Sequence, residues 1–528
     1  MPDAVVIGSG PNGLVGANLL AAEGWDVTVL EAQPTAGGAV RSAELIEPGF
    51  HHDLFSAFYP LAAASPVIRA LKLEEHGLRW RRSPMVVAHP AVDGSCAALS
   101  TDLDETAASL DAFAPGDGDA WRRLYALWER IGGQLVDSLF TPFPPLVAGA
   151  RLATELGPSE LTRFLRFSML PVRRMGEEEF AGQGGARLLA GTALHADLTT
   201  ESAAGGMYGW LLCGIGQQLG WPVPEGGAGR LTDALISKLE SAGGRVVCNA
   251  EVSEVVVRRG RAVAVRTTDG REVDARRAVL AGVGAPALFQ KLVDAQHLPS
   301  RLLEDMKRFQ YDSGTVKVDW TLDGPVPWAS VEARRAGTVH VTESVDALTL
   351  HSSQLALGLI PDRPFLLFGQ YSTADETRAP AGKETAWAYT HVPQAIRGDA
   401  GGSLTGAWSQ SETDEFVGRM EDEVERLAPG FRNLIRGRHV FTPPDLERAN
   451  ANLVGGAVNG GTAQVHQQLI FRPVSGLGRP ETPVKNLYLA SASAHPGGGV
   501  HGAAGANAAR AALGIGGRLK RAFARGDT

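Results

Sequence analysis

Residues 3–41, DAVVIGSGPNGLVGANLLAAEGWDVTVLEAQPTAGGAVR, constrain the chain more than any other stretch. Asp3–Ile7 is a short β-branched run that reads as a strand. Gly8, Gly10 and Gly13 follow it in the spacing G-x-G-x-x-G, and the residues from Leu14 to Leu20 carry helical apolar content. A second strand, Val27–Leu30, ends at Glu31. This predicts a βαβ unit. Its first glycine allows a tight turn, its second lets backbone approach a pyrophosphate, and its third lets helix pack closely on strand. The free N–H groups of the helix N-terminus then face the phosphates. Glu31 lies 23 positions beyond Gly8, at a strand end. A carboxylate there accepts a hydrogen bond from a ribose hydroxyl and repels a 2′-phosphate. Ser9, Pro11 and Asn12 complete the turn and Ala32 follows the acid, so they join the candidate dinucleotide contacts.

Gly37, Gly38 and Arg41 form G-G-x-x-R directly after the acidic strand end. This extension resembles the FAD-binding segment of the large family containing glutathione reductase, amine oxidases and carotenoid desaturases. A pure NAD domain does not need it, so FAD is the expected cofactor.

A chain of 528 residues has room for two domains, and 44% hydrophobic with 20% charged residues is a globular composition. The net charge of −8, with no block of five or more basic residues, argues against a nucleic-acid partner. The four positive charges of Arg518–Arg525 read as a solvated helix end rather than a membrane anchor, which leaves a peripheral membrane contact open. Cys96, Cys213 and Cys248 are far apart and no C-x-x-C occurs, so a dithiol redox couple is not expected and a reducing cytoplasm suits the chain. Met1 leads straight into the first strand, so no signal peptide is expected, and no run of about 18 apolar residues predicts a membrane span. His51 and His52 are adjacent, point to different sides of an extended chain and have no partner cluster, so no metal site is predicted.

Residues 102–215 are mostly helical by pattern, an insert of the kind that builds a substrate cavity; Tyr208, Trp210 and Trp320 are aromatic candidates for its wall or for the core. Leu231–Ser241 is an amphipathic helix. Val252–Val257, Arg261–Thr268 and Glu272–Ala275 read as strands, and residues 278–284 as the strand closing the nucleotide-domain sheet. Residues 314–322 alternate like a half-buried strand and, with Thr338–Val341, Phe365–Phe368 and Thr385–Tyr389, suggest an antiparallel sheet under a substrate site. Thr413–Leu427 is a helix, and the Gly-rich segment Leu453–Gly461 should lie close to a ligand. At the end of the chain Leu487–Ala490 is a strand, Pro496–Gly499 a loop, and an Ala-rich helix begins near Gly502. That helix can stabilise negative charge on a reduced flavin.

The first 60 residues, GGAGRLTDAL (226–235), VGGAVNGG (454–461), FRP (471–473) and HPGGGVHG (495–502) together resemble the phytoene-desaturase-like FAD oxidoreductases over essentially the whole chain. The resemblance implies an α/β fold. A Rossmann-like FAD-binding domain of glutathione-reductase/amine-oxidase type (residues 1–80, 215–295 and 480–528) would sit beside a mixed α+β substrate domain (81–214 and 296–479). It implies dehydrogenation, desaturation or isomerisation of an apolar small molecule, with the oligomeric state open. By position, Gly8, Gly10, Gly13, Glu31, Gly38 and Arg41 would bind FAD, the Val252 backbone would touch adenine, and Gly498, Gly499 and Val500 would line the flavin ring. Many relatives carry Gly-Asp before the last loop where this chain has Ser491–Ala494, and an acid near Asn-Gly-Gly where it has Ala457. His495 and His501 flank the flavin-facing loop and are the candidate catalytic bases, on the expectation that they titrate near neutrality. The alternative is that each holds the loop by hydrogen bonds. Hydride transfer to the flavin is the leading activity; a redox-neutral isomerase, or a flavin-stabilised interaction protein without turnover, stays open beside it.

Overall fold

The computed structural model describes residues 1–514; Arg518–Arg525 lies outside the described residues. Five short strands form an all-parallel sheet in the order Leu487–Leu489, Ala278–Ala281, Ala4–Ile7, Val27–Leu30, Arg245–Val247. The apolar runs at 4–7, 27–30 and 278–281 are buried on both faces, as a parallel sheet requires. Val6, Val29 and Leu280 meet helices Pro11–Ala22, Gly229–Ser241 and Ala503–Ala512 on one face. Val5, Ile7 and Val279 meet the meander Val252–Arg258, Arg261–Thr267, Glu272–Asp274 on the other. Residues 278–281 do not close this sheet: Leu487–Leu489, from the far end of the chain, pairs outside them.

A seven-stranded sheet forms the second layer, ordered Ile435–Phe441, Gly314–Leu322, Glu384–Val392, Leu366–Gln370, Ala336–Val341, Met85–Pro90, Cys96–Leu99. It is mixed rather than antiparallel, because Met85–Pro90 runs parallel to Ala336–Val341. Its aliphatic face, including Val316, Val318, Phe368 and Ala388, packs on Phe416, Val417 and Met420 of helix Gln410–Leu427. The Gly314–Leu322 alternation is not that of a half-buried strand, since every residue in it is buried. Its polar face turns instead to an internal cavity.

The helical insert comprises Leu103–Asp111, Asp117–Phe140, Leu146–Met169, Val172–Glu179, Gln183–Ala193 and Gly205–Leu219. It packs around Trp121, Trp128 and Trp210. Trp210 donates to the Leu124 carbonyl (3.1 Å) and Trp320 to Glu421 (3.1 Å), so both are core residues, while Tyr208 lines the cavity. Cys96 and Cys213 are buried, Cys248 is half-buried, and all are free. Among the described residues no helix is long and apolar enough to cross a membrane.

Candidate functional site

The cavity, about 1080 Å³, begins at the first βαβ turn. Gly8, Gly10, Pro11, Asn12 and Gly13 line it, followed by Glu31, Ala32, Gly38, Arg41 and Val252. The third glycine is sterically obligatory: a Cβ on Gly13 would lie 2.2 Å from the Gly8 carbonyl oxygen. Ser9 and Gly37 stand behind this wall. The Ser9 amide and hydroxyl donate to Glu31 Oε2 (2.9 and 2.6 Å), the Gln33 amide to Glu31 Oε1 (2.9 Å), and the Gly37 amide to Ser9 Oγ (3.0 Å). Ser9 and Gly37 thus aim the carboxylate instead of lining the cavity. Arg41 donates to the Gly38 and Ala449 carbonyls (2.9 and 3.0 Å) and to Thr35 Oγ1 (3.1 Å), and it sits over the Phe55 ring. All these partners are neutral, so its charge remains available to an anion beside the helix N-terminus. Burial lowers the Arg41 pKa, against the nearby Glu31 charge that raises it.

Farther along the cavity, Pro496, Gly498, Gly499, Val500 and His501 form one wall, and Val458, Asn459 and Gly460 lie beside them. The two Gly-rich segments touch: a Cβ on Gly498 would lie 2.7 Å from the Asn459 carbonyl oxygen. Two buried charges hold the 458–462 loop. Asp312 accepts from the amides of Val458, Asn459 and Gly461 (2.9, 2.8 and 3.3 Å). Arg472 donates to the carbonyls of Asn459, Gly461, Thr462 and Ala492 (3.0, 3.3, 2.9 and 2.7 Å). The Arg of the FRP segment is therefore a backbone clamp. Asp312 supplies an acid to the loop that Ala457 lacks, and nothing in its local sequence marks it for that role.

The two candidate bases are placed differently from each other. His501 lines the cavity, but its Nδ1 accepts from the Ala503 amide (3.0 Å), so Nε2 carries the proton and donates to the Gly497 carbonyl (3.3 Å). Its ring stacks on Phe140 with centroids 4.9 Å apart. His495 stands behind the wall, with Nε2 donating to the Thr141 carbonyl (3.1 Å). Burial pushes both imidazoles down to about 4. Burial therefore sets both below the near-neutral range expected from the sequence, and each is hydrogen-bonded to loop backbone.

Beyond this point the wall becomes apolar, with Leu135, Leu139, Leu152, Met207, Leu211 and Leu212 from the helical insert. Opposite them the large sheet contributes Thr315, Lys317, Thr338, Trp387 and Tyr389. Lys317 Nζ is 2.5 Å from Asp319 Oδ1, and His52 Nδ1 is 3.6 Å from the same oxygen, all three residues being buried. The sequence reading missed Lys317 and Asp319; the available signal was two opposite charges at i and i+2 in an otherwise uncharged strand.

The sequence model of the family described as flavin containing amine oxidoreductase matches residues 12–513. The chain is 29% identical to mouse pyridine nucleotide-disulfide oxidoreductase domain-containing protein 2 over 96% of this chain and 92% of that one. It is 25% identical to the lycopene-forming phytoene desaturase of Pseudescherichia vulneris over 97% and 99%. A crystal structure of an oxidoreductase from Methanosarcina mazei superposes with a TM-score of 0.61 at 17% identity, covering 97% of this chain and 99% of that one, which shows the shared fold.

Proposed function

The chain belongs to the flavin-containing amine oxidoreductase family, and from that premise we propose that it is an FAD-dependent dehydrogenase of an apolar small molecule. The observation that carries this reading is the continuity of the cavity from the Gly8–Gly13 turn to the leucine-lined chamber of the helical insert. The residues present fit FAD. The Pro11–Ala22 helix N-terminus and Arg41 would hold the pyrophosphate, Glu31 a ribose, the Val252 backbone the adenine, and Gly498–Val500 the ring. FAD bound there supplies a hydride acceptor at N5. The chain's own part is to orient and to exclude water. The Asp312–Arg472 clamp fixes the loop facing the ring, and Leu135, Leu139 and Leu211 keep water from the reacting bond. His501 shapes the same wall as a neutral hydrogen-bond donor to Gly497. One relative is named as a lycopene-forming phytoene desaturase, which supports a dehydrogenation reading.

The test is direct. Purified protein is expected to be yellow and to release FAD, identified by mass, on denaturation. Small molecules co-purifying with it are expected to be apolar and, added back without oxygen, to bleach the flavin. A colourless protein that takes up no added FAD would overturn the proposal.

A further inference from the structure

His195 lines the apolar chamber from the turn Leu194–Ala196, and its Nε2 is 2.9 Å from Nε2 of His340. One of these nitrogens must therefore donate and the other accept. The surroundings of His340 decide which. Its ring is completely buried, edged by His89 and Phe365, and its Nδ1 has no partner among the described residues. Nδ1 is pressed on Gly191, where a Cβ would lie 2.3 Å away. If Nδ1 carried the proton, a buried N–H would point at carbon with no acceptor. A bare lone pair against a polarised Cα–H is the cheaper arrangement. His340 Nε2–H therefore donates to His195, and the proton of His195 sits on Nδ1. His195 makes no other side-chain hydrogen bond among the described residues, and its ring meets Trp221 edge-on with centroids 4.9 Å apart, so Nδ1–H stays free for a ligand.

Two buried polar atoms lining the same cavity lack partners among the described residues, Thr338 Oγ1 and Trp387 Nε1. Thr338 is two residues from His340 on one face of its strand, and Gly369 pairs with both Thr338 and Trp387. The indole fills the space over Gly369, where a Cβ would lie 2.2 Å from it. Thr338 and Trp387 thus flank one side-chain-free position of the sheet. His195 Nδ1 and Trp387 Nε1 can only donate in this arrangement, and Thr338 can do either.

We propose that His195, Thr338 and Trp387 form a subsite for a neutral oxygen acceptor, so that the substrate is an apolar molecule bearing a carbonyl, ether or hydroxyl oxygen rather than a plain hydrocarbon or an ammonium. The proposal rests on the reading of the chamber as the apolar substrate site. It assigns the His195–His340 pair a positioning role: His340 fixes the tautomer by which His195 recognises oxygen.

The test uses FAD-loaded protein and three probes of one length: methyl heptyl ketone, the hydrocarbon in which a methylidene group replaces its carbonyl oxygen, and octylammonium. Equilibrium headspace partitioning gives the first two affinities and calorimetry the third. The ketone is expected to bind about 10-fold tighter than its hydrocarbon isostere, as for one or two good hydrogen bonds. In His195→Phe the ratio is expected to fall to about 2-fold, with hydrocarbon binding and the flavin spectrum unchanged, and Trp387→Phe should lower it independently. Nitrogen-15 shifts of labelled histidine in unsubstituted protein are expected to show His195 protonated at Nδ1, a readout that needs no variant to fold. No ketone preference, a preference that survives both substitutions, tighter binding of octylammonium, or an Nε2-protonated His195 would each overturn the subsite. If the protein takes up no FAD, the same probes are run on it as purified; a ketone preference there leaves the subsite standing while the flavin reading fails. If neither uncharged probe binds, the reading of the chamber as an apolar substrate site falls, and the subsite with it.

Discussion

Glu31 and the two loop histidines show how far a residue's type determines its chemistry. Glu31 follows from position alone: an acid at the end of the second strand of a βαβ unit has little else to do. The structure adds three donors from Ser9 and Gln33 that hold the carboxylate in place. Glu31→Ala is expected to raise the FAD dissociation constant by an amount corresponding to about 1–3 kcal/mol, as for a lost charged hydrogen bond, and Glu31→Gln, which keeps an acceptor, by less. Fluorescence of FAD released on dilution measures both, and unchanged affinity in Glu31→Ala would remove Glu31 from the site. The histidines were legible as residues near the loop but not as neutral groups, because an imidazole's pKa is set by what buries it. Burial holds His495 and His501 down to about 4, so neither ring changes its charge near neutrality. The flavin-reduction rate is expected to show no rise with an imidazole pKa between pH 6 and 8, and stopped-flow measurement across that range would reveal one. His501→Ala should act on stability instead, losing roughly 1–2 kcal/mol through the uncapped Ala503 amide.

At the scale of elements, helix Ala503–Ala512 is coupled to helix Pro11–Ala22 by glycine. A Cβ on Gly505 would lie 1.8 Å from the Asn12 carbonyl oxygen, and one on Gly16 would lie 3.1 Å from the Gly505 oxygen. The two helix N-termini that face the cavity are held together by this contact. Gly505→Ala must part the helices, with an overpacking penalty of about 1–3 kcal/mol or more. The expected outcome is a protein with unchanged far-UV circular dichroism that has lost most of its bound flavin. Retention of a full complement of flavin would show that the helices part without disturbing the loop. Both helices could be read from sequence, because Ala- and Leu-rich stretches bounded by glycine have strong local signals. Their contact could not be read, because Gly505 and Asn12 are distant in sequence and a glycine shows no partner. Four strands of the seven-stranded sheet were legible as an antiparallel set, but the burial of Gly314–Leu322 on both faces was hidden for a related reason. Period-two alternation reports that two faces differ, and the polar face of Gly314–Leu322 meets a cavity rather than solvent.

The molecule as a whole buries several imidazoles, and this makes its stability depend on acid. Burial lowers His89 and His351 to about 3 and His495 and His501 to about 4, against about 6.5 in the unfolded chain. Between those values the unfolded chain binds protons that the folded chain refuses. Stability is therefore full above pH 6.5 and falls as pH drops toward 4, by about 1.4 kcal/mol per pH unit for each histidine. Glu384 works in the other direction. Burial raises it to about 7, so the folded chain binds a proton that an unfolded glutamate, near 4.3, does not, and acidification through that window favours folding. The lowered imidazoles outnumber this raised carboxyl, so the net effect of acidification below pH 6.5 is a loss of stability. Denaturant unfolding at pH 7.5 and 5.5 is expected to show a large drop in midpoint at the lower pH. His89→Phe and His351→Phe, which remove two of the four imidazoles while filling their space, are expected to flatten the dependence. A midpoint that holds or rises at pH 5.5 would mean that these rings find protons or water in the folded state, and the burial of the cluster would have to be redrawn.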